Sequence, residues 1–319
     1  MKKIAVFTSG GDAPGMNAHI RSVVRTGMHR GLEVYGITGG YQGMIEGKFS
    51  VLDRKKTVNI IDKGGTILKT SRSEEFKTYE GRKKAVDNLR KYEIDGVIAC
   101  GGDGTFHGAN LLHKEFGIKI VGTPGTIDND LYGTYFTIGY DTAINTAAEA
   151  IDRIRDTADS HGRVFVIEVM GKHAGHIAMD VGVACGAEYI SVPEALENLD
   201  IIYEKMKELG MHSRIIIIIG EGGEFGGANE LAQRLIEMYG IDVKTAVLGH
   251  IQRGGTPSVK DRVLASHLGM AAVDALLDGK TDVMVGRHYQ KLTFTPLQDT
   301  WEIKKPIENY FFELAEIIS

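Results

Sequence analysis

Two cysteines, no long apolar run, no excess of basic charge and no low-complexity tract set the first limits on this 319-residue chain. Cys100 and Cys185 lie in apolar, glycine-rich settings (Ile98-Ala99-Cys100-Gly101 and Val183-Ala184-Cys185-Gly186). They supply neither a disulfide framework nor zinc-ligand spacing, and read as small buried thiols that suit a reducing compartment. No stretch approaches the roughly 20 apolar residues of a membrane span. The apolar run after Met1-Lys2-Lys3 breaks at Ser9-Gly10-Gly11-Asp12, too soon for a signal peptide. The expected location is the cytoplasm. A formal charge of −5 argues against a surface built for nucleic acid, while leaving room for a small basic pocket. Two nucleotide motifs are also missing. No G-x-G-x-x-G is complete, and Gly279-Lys280-Thr281 has the tail of a Walker A loop but Asp274 where its first glycine belongs. His173 and His176 stand three apart without further metal ligands.

What is present is an ordinary globular mix, 43% hydrophobic and 25% charged, in a length that fits two domains or one large one. Short β-branched runs end in glycine or polar clusters, and helical patterns follow them. Residues 3–8 predict a buried strand, followed by a turn and a helix from near Asn17. In that helix Ile20, Val23, Val24 and Met28 form the apolar stripe, while Arg21 and Arg25 share another face. Residues 95–100, 119–122, 164–170, 189–192, 214–219 and 245–248 read as further strands. Residues 141–158 read as a strong helix, with Ile144, Ala147, Ala148, Ile151 and Ile154 at helical spacing. Five consecutive isoleucines at 215–219 cannot alternate in and out, so that strand is expected to be covered on both faces. The alternation predicts α/β architecture with largely parallel sheets, and the number of strands predicts two stacked domains. The tail from Leu292 carries little pattern.

Ligands of open parallel sheets bind beyond the carboxyl ends of the strands, and three polar, glycine-rich clusters fall there. Ser9-Gly10-Gly11-Asp12-Ala13-Pro14-Gly15-Met16-Asn17 lets backbone N–H groups approach an anion at a helix N-terminus, or is a plain strand-to-helix turn. Gly101-Gly102-Asp103-Gly104-Thr105 sets a carboxylate between glycines, suited to Mg²⁺ beside phosphates or to capping the next helix. Pro124-Gly125-Thr126-Ile127-Asp128-Asn129-Asp130 holds two carboxylates and a hydroxyl that suit deprotonation of an alcohol, or an Asx-rich turn. Arg72, Arg82, Arg163, Lys172, Lys244, His250 and Arg253 are the basic residues matched to these carboxylates. Arg163, just before a strand, and Arg253, within Gly249-His250-Ile251-Gln252-Arg253-Gly254-Gly255, are the best placed. Residues alone thus reach an α/β phosphotransferase or another nucleotide-binding protein.

The same segments, together with Met170-Gly171-Lys172-His173-Ala174-Gly175 and residues 248–255, resemble the bacterial ATP-dependent 6-phosphofructokinases over essentially the whole chain. The resemblance implies two Rossmann-like three-layer α/β/α domains with mainly parallel sheets and an active site in the cleft between them. Residues 1–138 plus about 251–301 would be the ATP-binding domain, and 139–250 plus about 302–319 the sugar-phosphate-binding domain. It implies transfer of the γ-phosphate of ATP to the 1-hydroxyl of fructose 6-phosphate, with Asp128 as general base and Asp103 holding Mg²⁺. Arg72, Thr126 and Lys172 would steady the transferring group, with Asp130 beside them. Gly11, Tyr41, Arg72, Ser73, Lys77, Arg82, Gly102, Gly104, Thr105 and Gly108 match nucleotide-site positions. Thr126, Asp130, Met170, Gly171, Lys172, Glu221, His250 and Arg253 match sugar-phosphate positions. Arg163 and Lys244 would reach a neighbouring subunit's sugar phosphate in a homotetramer.

Arg21, Arg25, Arg54 and Glu188 match an allosteric site for ADP or phosphoenolpyruvate. Pyrophosphate-dependent relatives tend to carry Asp and Lys where this chain has Gly104 and Gly125, so the glycines point to ATP. Lys172 and Lys244 stand where relatives usually have arginine, which keeps the charge but loses the bidentate fork. Gly210-Met211-His212-Ser213 replaces an expected basic pair, which implies an altered effector response. Lipid and NAD kinases share Gly-Gly-Asp-Gly-Thr but lack the other motifs as arranged here. A non-catalytic paralogue would be expected to have lost Asp103 or Asp128.

Overall fold

The computed structural model describes residues 1–195, 198–210 and 214–318. The first stretch runs β1 (Lys3–Thr8), α1 (Met16–His29), β2 (Glu33–Ile37), α2 (Gly40–Ile45), β3 (Phe49–Leu52), α3 (Tyr79–Lys91), β4 (Gly96–Gly101), α4 (Asp103–Phe116) and β5 (Ile120–Pro124). The middle holds α5 (Tyr140–His161), β6 (Val164–Val169), α6 (His176–Cys185), β7 (Tyr189–Ser191), α7 (Leu199–Leu209), β8 (Ile215–Gly220), α8 (Ala228–Tyr239) and β9 (Val243–Val247). Then come α9 (Val259–Leu277), β10 (Val283–His288), β11 (Lys291–Pro296), α10 (Asp299–Glu302) and α11 (Asn309–Ile318).

Two compact units divide the chain. The first is Met1–Ile127, Leu131–Thr142 and Arg253–Lys305; the second is Asp128–Asp130, Ala143–Gln252 and the stretch from Pro306. In the first unit the sheet order is β11-β10-β5-β4-β1-β2-β3, parallel except for the edge strands β3 and β11. Every residue of β4 is buried, and of β1 all but Lys3, as expected of strands sandwiched by helices. Ala5 and Phe7 pack with Tyr41 and Met44 of α2, Leu89 of α3 and Phe106 of α4. On the other face α1 packs along α9. From β1 the chain moves outward to β2, whereas β4 lies on β1's other side, so the order reverses between β1 and β4. Such a switch point opens a crevice for a ligand.

The second unit's sheet, β7-β8-β6-β9, is parallel throughout. Ile215, Ile217 and Ile219 join Ile202, Met206, Leu231 and Leu235 of α7 and α8 in one core. Ile216 and Ile218, pointing the other way, are 0% exposed, and α6 packs on the strand. The isoleucine strand is therefore covered on both faces.

A buried carboxylate fixes where α5 begins. Asp261 of α9, 1% exposed, accepts hydrogen bonds from Gly139 N and Thr142 N, each at 2.8 Å, and from the Thr142 hydroxyl. Burial pushes its carboxyl up to about 6, against the pull of those donors. Because the native group keeps its proton to higher pH than an unfolded aspartate does, its contribution to stability is lost as pH rises from 3.8 towards about 6. Asp261→Asn should flatten that part of a stability-against-pH curve. Asp261→Ala, which strands buried donors, should cost roughly 2–5 kcal/mol. A thermal unfolding midpoint unchanged by Asp261→Ala would remove this role.

Candidate active site

β1, β4 and β5 are neighbours, so the loops that follow them lie side by side at the C-terminal edge of the first sheet. Backbone bonds continue beyond the strands: Ser9 N donates to Cys100 O at 3.0 Å, and Gly125 N to Gly101 O at 2.9 Å. Close approach explains several glycines. A Cβ on Gly101 would collide with Thr105 Oγ1 and Ser9 O, and one on Gly11 with the Arg253 guanidinium. A Cβ on Gly102 would sit 3.5 Å from Thr126 Cβ. Gly11, Gly102, Thr105, Thr126 and Arg253 are thus brought together.

Gly104 differs. It has ordinary φ, and a Cβ there would meet nothing within 4 Å. The fold does not need a glycine at 104, and the space beside it is open. Gly125 is the opposite case: its Cβ would press on Cys100 Sγ at 2.7 Å. Packing alone accounts for Gly125, so only Gly104 carries an argument about the phosphoryl donor.

Asp103 opens α4, where a carboxylate faces the positive end of the helix. Its Oδ1 is buried and has no hydrogen-bond partner, and the same holds for Thr105 Oγ1. No group of three or more His, Cys, Asp or Glu suited to a metal occurs among the described residues. A lone carboxylate oxygen without a partner fits Mg²⁺, which keeps waters and takes its remaining ligands from substrate phosphates. In the loop after β5, Thr126 is 8% exposed and Asp128 7%. Thr137 Oγ1 donates to Thr126 O at 2.6 Å, Ile138 N donates to Pro124 O at 2.9 Å, and Asn129 takes a left-handed φ of 53°.

The other residues matched to the nucleotide site divide into exposed and built-in groups. Arg72 and Lys77 are exposed, Lys77 pairing with Glu74 at 2.8 Å. Ser73 Oγ donates to Gln42 Oε1 at 2.6 Å and accepts from Phe76 N at 3.1 Å. Tyr41 is buried, with its hydroxyl donating to Thr105 O; burial raises its phenol pKa. Its ring leaves no room for a Cβ at Gly108, which would come within 2.8 Å. Arg82, also buried, binds Glu115 through Nε and Nη2, both at 2.7 Å, and the carbonyls of Phe76 and Lys77 through Nη1. Those bonds engage all but one of its five N–H donors.

In the second unit, Met170, Gly171 and Lys172 follow β6, Glu221 follows β8 and His250 follows β9. Lys172 has φ 61°, and its N–H lies 3.3 Å from Glu221 Oε2. A Cβ on Gly222 would collide with Lys172 O, so the 171–172 and 221–222 turns are in contact. Arg163 and Lys244 are elsewhere. Arg163 precedes β6, and Lys244, paired with Phe165, is at the start of β9, where it pairs with Asp242 at 2.9 Å. Both stand at the strand ends opposite the loops.

Among the residues matched to an effector site, Arg25 has its pKa lowered by burial and by Arg21 and Arg54, so these three cluster in the first unit. Glu188 of the second unit accepts from Ile216 N at 2.6 Å. Met211, His212 and Ser213, on which the altered effector response was argued, lie outside the described residues.

Two supporting residues had not been singled out in the sequence. Asp261 was legible in retrospect, because Ser258 and Asp261 have capping-box spacing and Ser258 Oγ does accept from Asp261 N at 3.1 Å. His19 had no such signal. It is fully buried, its Nε2 is 2.9 Å from Thr123 Oγ1, and burial holds its pKa down to about 3. It joins α1 to β5 as a neutral ring.

Known proteins resemble this chain over most of its length. The family profile described as phosphofructokinase matches residues 3–276. An ATP-dependent 6-phosphofructokinase of Cytophaga hutchinsonii is 53% identical over 319 residues, 99% of this chain and 97% of that protein. ATP-dependent 6-phosphofructokinase 1 of Thermus thermophilus is 53% identical over 321 residues and 100% of both chains. Phosphofructokinase from Saccharomyces cerevisiae superposes with a TM-score of 0.89 at 36% identity, over 99% of this chain and 48% of the yeast chain, about half its length. A pyrophosphate-dependent phosphofructokinase from Marinobacter aquaeolei, at 24% identity and a TM-score of 0.83 over 97% and 86% of the two chains, shares the fold. Glycine-edged loops on adjacent parallel strands and a match through nearly the whole length place this chain in the phosphofructokinase family.

Proposed function

We propose that this protein transfers the γ-phosphoryl group of ATP to the 1-hydroxyl of fructose 6-phosphate. The observation that carries the reading is the cluster at the ends of β4 and β5: an unpartnered Asp103 oxygen, open space beside Gly104, and Thr126 next to Gly102. Phosphoryl transfer depends on positioning and charge neutralisation more than on covalent chemistry by the protein, and this cluster offers both.

Backbone at Gly11, Gly102 and Gly104 binds the nucleotide, with open space for phosphate beside Gly104, and Arg72 supplies positive charge. Asp103 holds Mg²⁺, which when bound neutralises phosphate charge on the nucleotide. Thr126, Asp130, Met170, Gly171, Lys172, Glu221, His250 and Arg253 bind the sugar phosphate. Asp128 accepts the proton of the 1-hydroxyl as that oxygen attacks phosphorus. Lys172 and Thr126 steady the charge on the group in transit. Arg163 and Lys244 serve the site of a neighbouring subunit, in a working form that is a homotetramer. No helix among the described residues is long and apolar enough to cross a membrane, and the proposed location is the cytoplasm.

The donor is tested by assaying fructose 6-phosphate with MgATP and with pyrophosphate in parallel. Turnover with ATP alone is expected; preference for pyrophosphate overturns the ATP assignment. Gly104→Asp extends the test. A carboxylate in that open space should raise the KM for ATP by about tenfold or more, because like charge is brought against phosphate, while the melting temperature stays put. An unaltered KM would mean that the nucleotide does not pass residue 104.

Effectors bind at Arg21, Arg25 and Arg54, with ADP or phosphoenolpyruvate as the ligand. Without the basic pair at 211–213, inhibition by phosphoenolpyruvate should be weak at neutral pH. Strong inhibition in a saturation assay would contradict that.

A further inference from the structure

In the first unit, a pocket of about 300 Å³ lies beside the C-terminal end of β10, where α9 meets the segment after β5. It is lined by Tyr135, Phe136, Lys260, Leu264, Arg287 and Tyr289, none of which serves the reaction above. Pockets for small molecules run from roughly 300 to 1,000 Å³, so this one suits a compact ligand. Leu264 is buried, while Tyr135 and Tyr289 are 40% and 71% exposed.

The rings form a built surface. Tyr135 stacks on Tyr289 with centroids 5.5 Å apart and planes at 26°, and meets Phe136 edge-on at 4.6 Å. Tyr289 holds φ 52° at the turn between β10 and β11, a conformation that glycine or asparagine adopts at lower cost. An exposed tyrosine kept in strained backbone points to use of its ring.

Charge supplies the second half of the argument. Lys260 Nζ lies 3.5 Å from the Phe136 ring centroid and 3.2 Å from Asp141 Oδ1. Arg287 has no carboxylate in ion-pair range among the described residues; its Nη1 meets His267 Nδ1 at 3.3 Å. Two cations against one carboxylate leave the pocket net positive, and its walls are aromatic. A neutral ring would leave the guanidinium uncompensated, and a bare anion would leave the rings unused.

We propose that this pocket binds a small aromatic anion, its ring against Tyr135, Phe136 and Tyr289 and its phosphate or carboxylate head at Arg287 and Lys260. Guanidinium and ammonium both pair with either head group, and stacking of the ring adds to that.

The test is saturation-transfer NMR on the intact protein with phenyl phosphate and, separately, benzoate as probes. Transfer to the ring protons is expected, and the tighter probe names the head group. Arg287→Ala and Tyr289→Ser should each weaken binding by about tenfold or more, as loss of a charge-assisted or stacking contact does. Arg25→Ala should leave it unchanged. Tyr289→Ser is on an exposed turn and removes the ring without disturbing the core, so it reports on the pocket even if Arg287→Ala folds poorly. Four results would overturn the proposal: no transfer to either probe, affinity indifferent to both pocket variants, loss in Arg25→Ala instead, or equal displacement by inorganic phosphate. A fifth is a Tyr289→Ser variant that changes sedimentation while neither probe binds, which would give the patch to a second copy of the chain.

Discussion

Asp128→Ser is expected to lower kcat by about three powers of ten or more while the chain folds as before, because the base is lost and the hydroxyl it positions is freed. Asp128→Asn should fall nearly as far. An amide keeps the shape of the side chain but cannot take up the proton, so the comparison separates basicity from bulk. The loop that carries Asp128 is also held by bonds from Thr137 to Thr126 O and from Ile138 to Pro124 O. A serine variant with near-normal turnover in a steady-state assay would remove Asp128 from the role of base.

The second large effect is a rescue. Arg163 precedes β6, whereas Met170 to Lys172 follow it, and β6 is six residues long. At about 3.3 Å per residue the two ends are roughly 20 Å apart, too far for one sugar phosphate to touch both on the same strand. Lys244, level with Phe165, shares the Arg163 end. If these cations complete a neighbour's site, Arg163→Ser and Asp128→Ser proteins are each nearly inactive alone. Dissociated together and reassembled, they should form some sites with both residues intact, restoring about a quarter of wild-type activity under random pairing. A mixture no more active than its parts would place Arg163 outside the shared site.

Strands covered on both faces were legible because apolar residues dominate them: residues 4–7 and the isoleucine run stand out by hydrophobicity alone, and 164–169 does so despite Glu168. β2 and β3 are different. Glu33 and Val51 face solvent and Gly36 interrupts the first, where a Cβ would press within 2.7 Å of Leu52 and Leu68. The tail from Leu292 showed little pattern, yet it completes β11 and supplies α10 and α11. An edge strand with one open face offers only weak alternation, and pairing with β10 decides its state. α9 shows the limit from another side. It buries Leu264, Leu268, Ala272 and Leu276 yet exposes Val259, Val263 and Met270, so no single stripe marks its inward face.

The candidate site stood out in the sequence because its glycines and carboxylates sit in short contiguous motifs at strand ends. What distance in sequence concealed was the difference between glycines. Gly11 makes room for Arg253, Gly125 for Cys100 and Gly104 for nothing in the protein. Arg82 and Tyr41 carry no sequence mark of burial either, although Glu115 and Thr105 O claim their polar groups. Only the packed chain separates a residue that supports the loop from one that faces a ligand.

The most direct test is ³¹P NMR of the purified protein incubated with MgATP and fructose 6-phosphate. The reading predicts ADP and a new sugar phosphate resonance on carbon 1 in equal amounts, with the 6-phosphate intact. ATP consumed to ADP and free phosphate, with no phosphorylated carbon 1, would contradict it.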